Sequence, residues 1–196
     1  MREHVSPPAR VLEVGCGDGA LALALAAAGY AVVAIDPHAP DGAIFRRTRL
    51  EDLDDGAFDA VVASVSLHHV ADLDAAAAKL HRLLRPGGLL IVDEFARECF
   101  AGATARWYFD RLCLVNAPEP AVFEPWLAGW HAEHDDVHPF ADLRRALDAR
   151  FAERLLAQTP YLYDYRLGDE VEPLERELIE AGAIDATGRR YVGERR

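Results

Sequence analysis

The sequence predicts a doubly wound α/β fold, and three observations carry that prediction. Short apolar runs bounded by turn residues recur in the way that buried parallel strands do. Helical segments alternate with them, and a glycine-rich turn joins the first strand to the first helix. At 196 residues and 51% hydrophobic content, the chain suffices for one domain with a sizeable core.

The elements follow in order. Val11, Leu12 and Val14 make a first strand over 9–14. Gly15, Gly17 and Gly19 then let the backbone turn sharply and approach a ligand with no Cβ in the way. A helix of Ala and Leu over 19–28 ends at Gly29, the residue type that tolerates the left-handed C′ position. A second strand over 31–35 delivers Asp36 to the carboxyl edge of the sheet. Strands near 43–48 and over 58–64 follow, then a helix over 72–85 capped by Asp72 and a fifth strand over 88–94. Arg85, Pro86 and the two glycines Gly87 and Gly88 read as a helix end and turn.

Beyond this point the chain changes character. Residues 96–150 predict helices around Ala101–Val115, Ala121–His134 and Pro139–Arg150, a helical cap inserted over the carboxyl edge of the sheet. Arg154–Tyr165 predicts a strand in which Tyr161, Tyr163 and Tyr165 alternate. A helix over Val171–Ala181, closed by Gly182, and a seventh strand over Ala186–Glu194 complete the sheet. With no repeat or linker, 1–196 reads as one domain: 9–95 is the half that carries the glycine turn, 96–150 is the cap and 151–196 finishes the sheet.

Charge and composition exclude some functions. Lys plus Arg number 21 against 33 Asp plus Glu, a formal charge of −12 that repels nucleic acid. The basic runs at Arg46, Arg47, Arg49 and at Arg189, Arg190 are short and read as solvated edges. No apolar run reaches membrane length, and three unevenly spaced cysteines make no disulfide framework, so a cytoplasmic setting is expected.

The acids around the glycine turn narrow the ligand. An acid roughly 20 residues past such glycines is placed to grip a ribose diol, and Asp36 stands there. Glu13 before the turn and Asp18 inside it would repel a pyrophosphate, which weighs against a nicotinamide-dependent oxidoreductase. They suit a ligand bearing an amine and a sulfonium. The run Glu13-x-Gly15-x-Gly17-x-Gly19 resembles motif I of the class I S-adenosylmethionine-dependent methyltransferases. The resemblance continues in register through Phe58–Ser64, Ser66–Val70 and Leu83–Val92, covering about residues 9–95.

That resemblance implies a Rossmann-like sheet of seven strands, mostly parallel with one antiparallel strand, and an enzyme that uses S-adenosylmethionine and releases S-adenosylhomocysteine. It implies that Glu13 holds the methionyl amine directly or through water. Gly15, Cys16, Gly17, Asp18 and Gly19 would line the methionyl part, and Ser64 and Val65 would offer backbone contacts to it. Asp36 and Pro37 fall to the ribose, and Glu51, Asp52 and Leu53 to the adenine. Many relatives carry an acid where Arg49 stands, so the partner of the adenine amine stays open among Glu51, Asp52 and backbone groups. A protein that binds this cofactor without catalysis would carry the same motifs.

A sulfonium is an activated methyl donor, so transfer needs alignment and exclusion of water above all. A general base enters only when the acceptor must lose a proton. His68 and His69, after the fourth strand, and Asp93 and Glu94, at the end of the fifth, are the candidates, with helix capping or cofactor-wall packing as the alternative for the histidines. Trp107, Tyr108, Trp126 and Trp130 concentrate in the cap and are expected to form the pocket of a small-molecule acceptor, the protein acting as monomer or homodimer. Between His131 and His138 the chain carries three histidines and three acids, which read as a solvated helix junction in place of a metal site.

Overall fold

A computed structural model describes residues 1, 3–115 and 122–196. Seven strands form one sheet in the order β3-β2-β1-β4-β5-β7-β6. They are β1 (Arg10–Val14), β2 (Ala31–Asp36), β3 (Phe45–Arg47), β4 (Phe58–Ser64), β5 (Leu84–Phe95), β6 (Phe151–Thr159) and β7 (Gly188–Arg195). The pairs β1·β2, β1·β4, β2·β3 and β4·β5 are parallel. Strand β7 is antiparallel to β5: Arg195 reaches the Leu84 carbonyl at one end, and Arg190 grips Asp93 at the other. The mixed, mostly parallel sheet is the architecture expected from the sequence. Because β1 lies between β2 and β4, the strand order reverses there, opening the crevice in which doubly wound sheets take ligands.

The chain divides into two compact units. The first comprises Met1–Glu94, Asp142–Leu156 and Arg190–Arg196. Val11, Ala22, Leu25, Val32, Ala60 and Val192 are among its buried core. Helix α1 (Ala20–Ala27) buries Ala22 and Leu25 while Leu21 and Leu23 on its other side stay exposed. Helix α2 (Leu73–Leu83) is amphipathic and buries Leu73, Ala77, Leu80 and Leu83. Its N-cap is Asp72, whose carboxylate accepts the Ala75 N–H at 2.9 Å. The Pro86-Gly87-Gly88 segment, expected as a turn ahead of the fifth strand, is instead a bulge inside β5: register jumps from Phe58↔Leu84 to Ala60↔Leu89. Leu84 already pairs with β4, so the strand begins where the helix stops.

The second unit comprises Phe95–Ala141 and Ala157–Arg189. It carries α3 (Gly102–Val115), α4 (Phe123–Glu133) and α6 (Glu172–Glu180); α5 (Phe140–Asp148) begins in it and ends in the first unit. The sequence expectation that α4 starts at Ala121 falls outside the described residues. The strand expected over Arg154–Tyr165 is corrected. Strand β6 ends at Thr159, and Tyr163–Leu167 is an irregular helical turn with Arg166 at φ 76°. Pro160 has no N–H to continue the ladder. The carboxylate of Glu175, fully buried, then captures the N–H groups of Tyr161, Leu162 and Tyr163 at 2.8–3.0 Å. Among the described residues no helix is long and apolar enough to cross a membrane.

Candidate active site

A cavity of about 570 Å³ opens in the first unit at the carboxyl ends of β1, β2 and β4. Its volume lies in the range of small-molecule sites. The glycine turn forms one wall. Gly15 stands at φ 74°, and a Cβ added there would lie 2.4 Å from the Cβ of Ser66, so only glycine lets the turn close against the segment after β4. Gly17 faces open space, and a Cβ there would meet nothing within 4 Å. Asp18 accepts the Ala20 N–H at 3.0 Å, placing a carboxylate on the first turn of α1. The place where a pyrophosphate would sit in a dinucleotide site already holds a negative charge.

Asp36 ends β2 and joins the cavity wall. One of its oxygens accepts the His38 N–H at 2.7 Å, the other the Gly17 N–H at 3.3 Å, so the carboxylate is held at the crossing of the two loops. Glu13 is 3% exposed on β1, and its Oε2 has no hydrogen-bond partner. Burial, followed by the negative charge of Asp18, pushes its carboxyl up to about 7. Burial likewise raises the Cys16 thiol to about 11, with Glu13 and Asp36 adding to the effect; this thiol stays protonated at neutral pH.

The segment after β4 forms the opposite wall. Val65 adopts φ 48°, a conformation that β-branched residues avoid. Its N–H bonds the Asp93 carbonyl at 2.8 Å, and Ser66 donates its hydroxyl to the Val14 carbonyl at 2.9 Å. His69 is exposed and lines the cavity, whereas the adjacent His68 is buried and bonds Glu94 through Nδ1. On the far side the Arg49–Glu51 pair, 3.9 Å apart and exposed, contributes to the wall with Leu50.

Of the residues nominated for cofactor binding, Gly15, Gly17, Asp36, Pro37, Glu51 and Val65 come together around this cavity. Glu13, Cys16, Gly19 and Leu53 are buried and are not among its lining residues. Asp18 and Asp52 are exposed, and Ser64 pairs with Asp93 in the sheet. Sequence reasoning missed His38, Thr48, Ser66, Val70 and Ala71, which also line it. Each stands within a few residues of a nominated strand end, the signal that would have found them. In the second unit, Tyr108 and Trp130 are buried in an aromatic core, with Trp107 and Trp126 packed against it. His134 stacks on Trp130 at 4.0 Å and bonds its carbonyl, and no set of three metal-ligating side chains is present among the described residues.

A family model for a methyltransferase domain matches residues 3–153. The chain belongs to the methyltransferase family. An uncharacterized methyltransferase of Mycobacterium bovis is 38% identical over 101 residues, covering 43% of this chain and 50% of that protein. A ubiquinone biosynthesis O-methyltransferase of Xanthomonas oryzae pv. oryzae is 35% identical over 154 residues, covering 66% and 64%. The chain thus spans about half to two thirds of the length of these curated relatives. The crystal structure of an S-adenosylmethionine-dependent methyltransferase from Mesorhizobium loti superposes with a TM-score of 0.61 over 98% of this chain and 93% of that one. At 18% identity that likeness speaks for the fold.

S-adenosylmethionine is the cofactor that goes with this family, and the residues present fit it. A glycine turn with open space at Gly17, a fixed carboxylate at Asp36 and an orphaned buried carboxylate oxygen on Glu13 suit a ribose and a cationic amine. The carboxylate of Asp18 on α1 argues against a pyrophosphate.

Proposed function

We propose that this methyltransferase domain binds S-adenosylmethionine in the first-unit cavity and methylates a small-molecule acceptor. The observation that carries the proposal is the convergence of Gly15, Gly17, Asp36 and Val65 on one cavity of suitable volume, with the Asp18 carboxylate held at the start of α1. Bound there, the cofactor supplies a methyl group already activated for in-line displacement. The protein's tasks are to hold, orient and dry the site.

In this reading Asp36 accepts from the ribose hydroxyls, and the 49–51 segment borders the adenine. Glu13 answers the positive charge of the methionyl amine. His69, exposed on the cavity wall, is placed to take a proton from a hydroxyl acceptor. The likeness to O-methyltransferases supports an oxygen acceptor. Trp107, Tyr108, Trp126 and Trp130 remain the acceptor candidates. Tyr108, Trp126 and Trp130 are supported by a cavity of about 280 Å³ in the second unit, which they wall together with Tyr165, Glu133 and Arg166 and which suits a flat molecule carrying polar groups; Trp107 packs against the aromatic core and does not line this cavity. Free thiols at Cys16, Cys99 and Cys113 accord with a reducing, cytoplasmic setting.

Calorimetric titration with S-adenosylmethionine and S-adenosylhomocysteine tests the assignment. The wild type is expected to bind both. Asp36→Ala removes charge-assisted hydrogen bonds worth about 1.5–3 kcal/mol, a loss of roughly 10- to 100-fold in affinity. A folded wild type that binds neither compound refutes the proposal.

A further inference from the structure

We propose that Glu94 is a positioning residue that builds the cavity wall after β4, and that it does not act as the proton acceptor of the reaction. The inference rests on the assignment of that cavity to the cofactor. Glu94 stands near the carboxyl end of β5 and is 2% exposed. Both of its oxygens are engaged. Oε1 accepts the N–H groups of Ser66 at 3.0 Å and Leu67 at 2.7 Å, and Oε2 bonds His68 Nδ1. His68 is itself 6% exposed, and neither Glu94 nor His68 is among the residues that line the cavity, so the carboxylate lies behind the wall that it supports.

What the carboxylate holds is the segment with the least favourable backbone of the site. Val65 is left-handed at φ 48°, a conformation that persists only where surrounding contacts impose it. The restraints are on either side of it: the Asp93 carbonyl takes the Val65 N–H, and Glu94 takes the next two. Ser66 then passes the constraint across the cavity, its hydroxyl on the Val14 carbonyl and its Cβ filling the space that Gly15 leaves open. One buried carboxylate on β5 therefore sets where Val65, Ser66 and His69 stand relative to the glycine turn. Without it, two backbone N–H groups lose their acceptor, and Val65 is free to relax out of its left-handed state.

The test compares Glu94→Gln with Glu94→Ala in the full chain, measuring S-adenosylhomocysteine affinity, kcat and KM for S-adenosylmethionine, and amide hydrogen exchange at Ser66 and Leu67. A glutamine oxygen still accepts both N–H groups, and its NH2 donates to His68 Nδ1 in the other tautomer. Glu94→Gln is therefore expected to keep affinity within about threefold and to keep kcat, with both amides protected. Glu94→Ala is expected to lose at least about tenfold in affinity, to raise KM and to exchange Ser66 and Leu67 rapidly. Should Glu94→Ala fail to fold, Glu94→Gln decides alone. Loss of kcat in Glu94→Gln with affinity unchanged would make Glu94 a proton-transfer group and overturn the proposal. Wild-type affinity and amide protection in a folded Glu94→Ala would overturn it equally. A wild type that binds no cofactor refutes the methyltransferase assignment, while the exchange contrast still reports whether Glu94 clamps this segment.

Discussion

Replacing Glu13 with glutamine should stabilise the cofactor-free protein at high pH and leave it unchanged at low pH. The carboxyl titrates at about 7 in the fold against an ordinary 4.5, because it is buried without a partner for Oε2 and faces the charge of Asp18. Below 4.5 it is protonated in the folded and unfolded chains alike. Between 4.5 and 7 the unfolded chain gives up the proton while the folded chain retains it, so stability falls as pH rises. Above 7 the full penalty is in place. At ~1.4 kcal/mol per pH unit, the interval from 4.5 to about 7 corresponds to about 3 kcal/mol. In a chain of this size that is roughly 6–12 °C in Tm. Glutamine keeps the shape without the charge. Urea or thermal unfolding of wild type and Glu13→Gln, at intervals from pH 4.5 to 8.5 without cofactor, should show a difference that grows through this window and then levels off. A difference independent of pH would refute the reasoning. The proposed function adds the opposite effect on binding: a cation beside Glu13 draws the proton off. Affinity for S-adenosylmethionine should therefore rise between about pH 6 and 8 in the wild type and stay flat in the variant.

Gly15→Ala should cost at least about 2 kcal/mol, combining a left-handed alanine with a 2.4 Å approach to Ser66 Cβ, whereas Gly17→Ala, with open space, should cost about 1 kcal/mol. Equal losses in urea unfolding would contradict the close approach of the turn to the post-β4 segment. Asp72→Ala removes the N-cap of α2 and should lower stability by about 1 kcal/mol, with Asp72→Asn near wild type in the same assay. Glu175→Ala leaves three backbone N–H groups of 161–163 without their acceptor and should destabilise the second unit by at least about 3 kcal/mol. All three tryptophans lie in that unit, so tryptophan fluorescence during denaturation reads this effect, and an unshifted transition would show that the clamp contributes nothing.

The features legible in the sequence are those whose physics is local. Apolar runs mark β1, β2 and β4 because a strand covered on both faces is apolar at most of its positions, with Glu13 and Asp59 as the exceptions within β1 and β4. Asp72 announces α2 because a cap reaches only three residues ahead. The Glu13-x-Gly15-x-Gly17-x-Gly19 run and Asp36 are close enough along the chain for their meeting at one sheet edge to follow from strand, turn and helix alone. Other features depend on groups distant in sequence. The tyrosines at 161, 163 and 165 alternate as a strand would, yet Glu175, more than a helical turn downstream, takes the N–H groups that a ladder would have used. Glu94 reads as an acid at a strand end, equally suited to catalysis and to structure. Its role is decided by Ser66, Leu67 and His68, brought to it by β4·β5 pairing. The sequence alone thus determined the strand–turn–helix of the proposed cofactor site and the sign of charge around it, since both are written in neighbouring residues. Only the tertiary structure decided which carboxylates are left unpartnered and which are consumed as clamps, because a side chain's free lone pairs depend on what the whole fold brings within 3 Å of it.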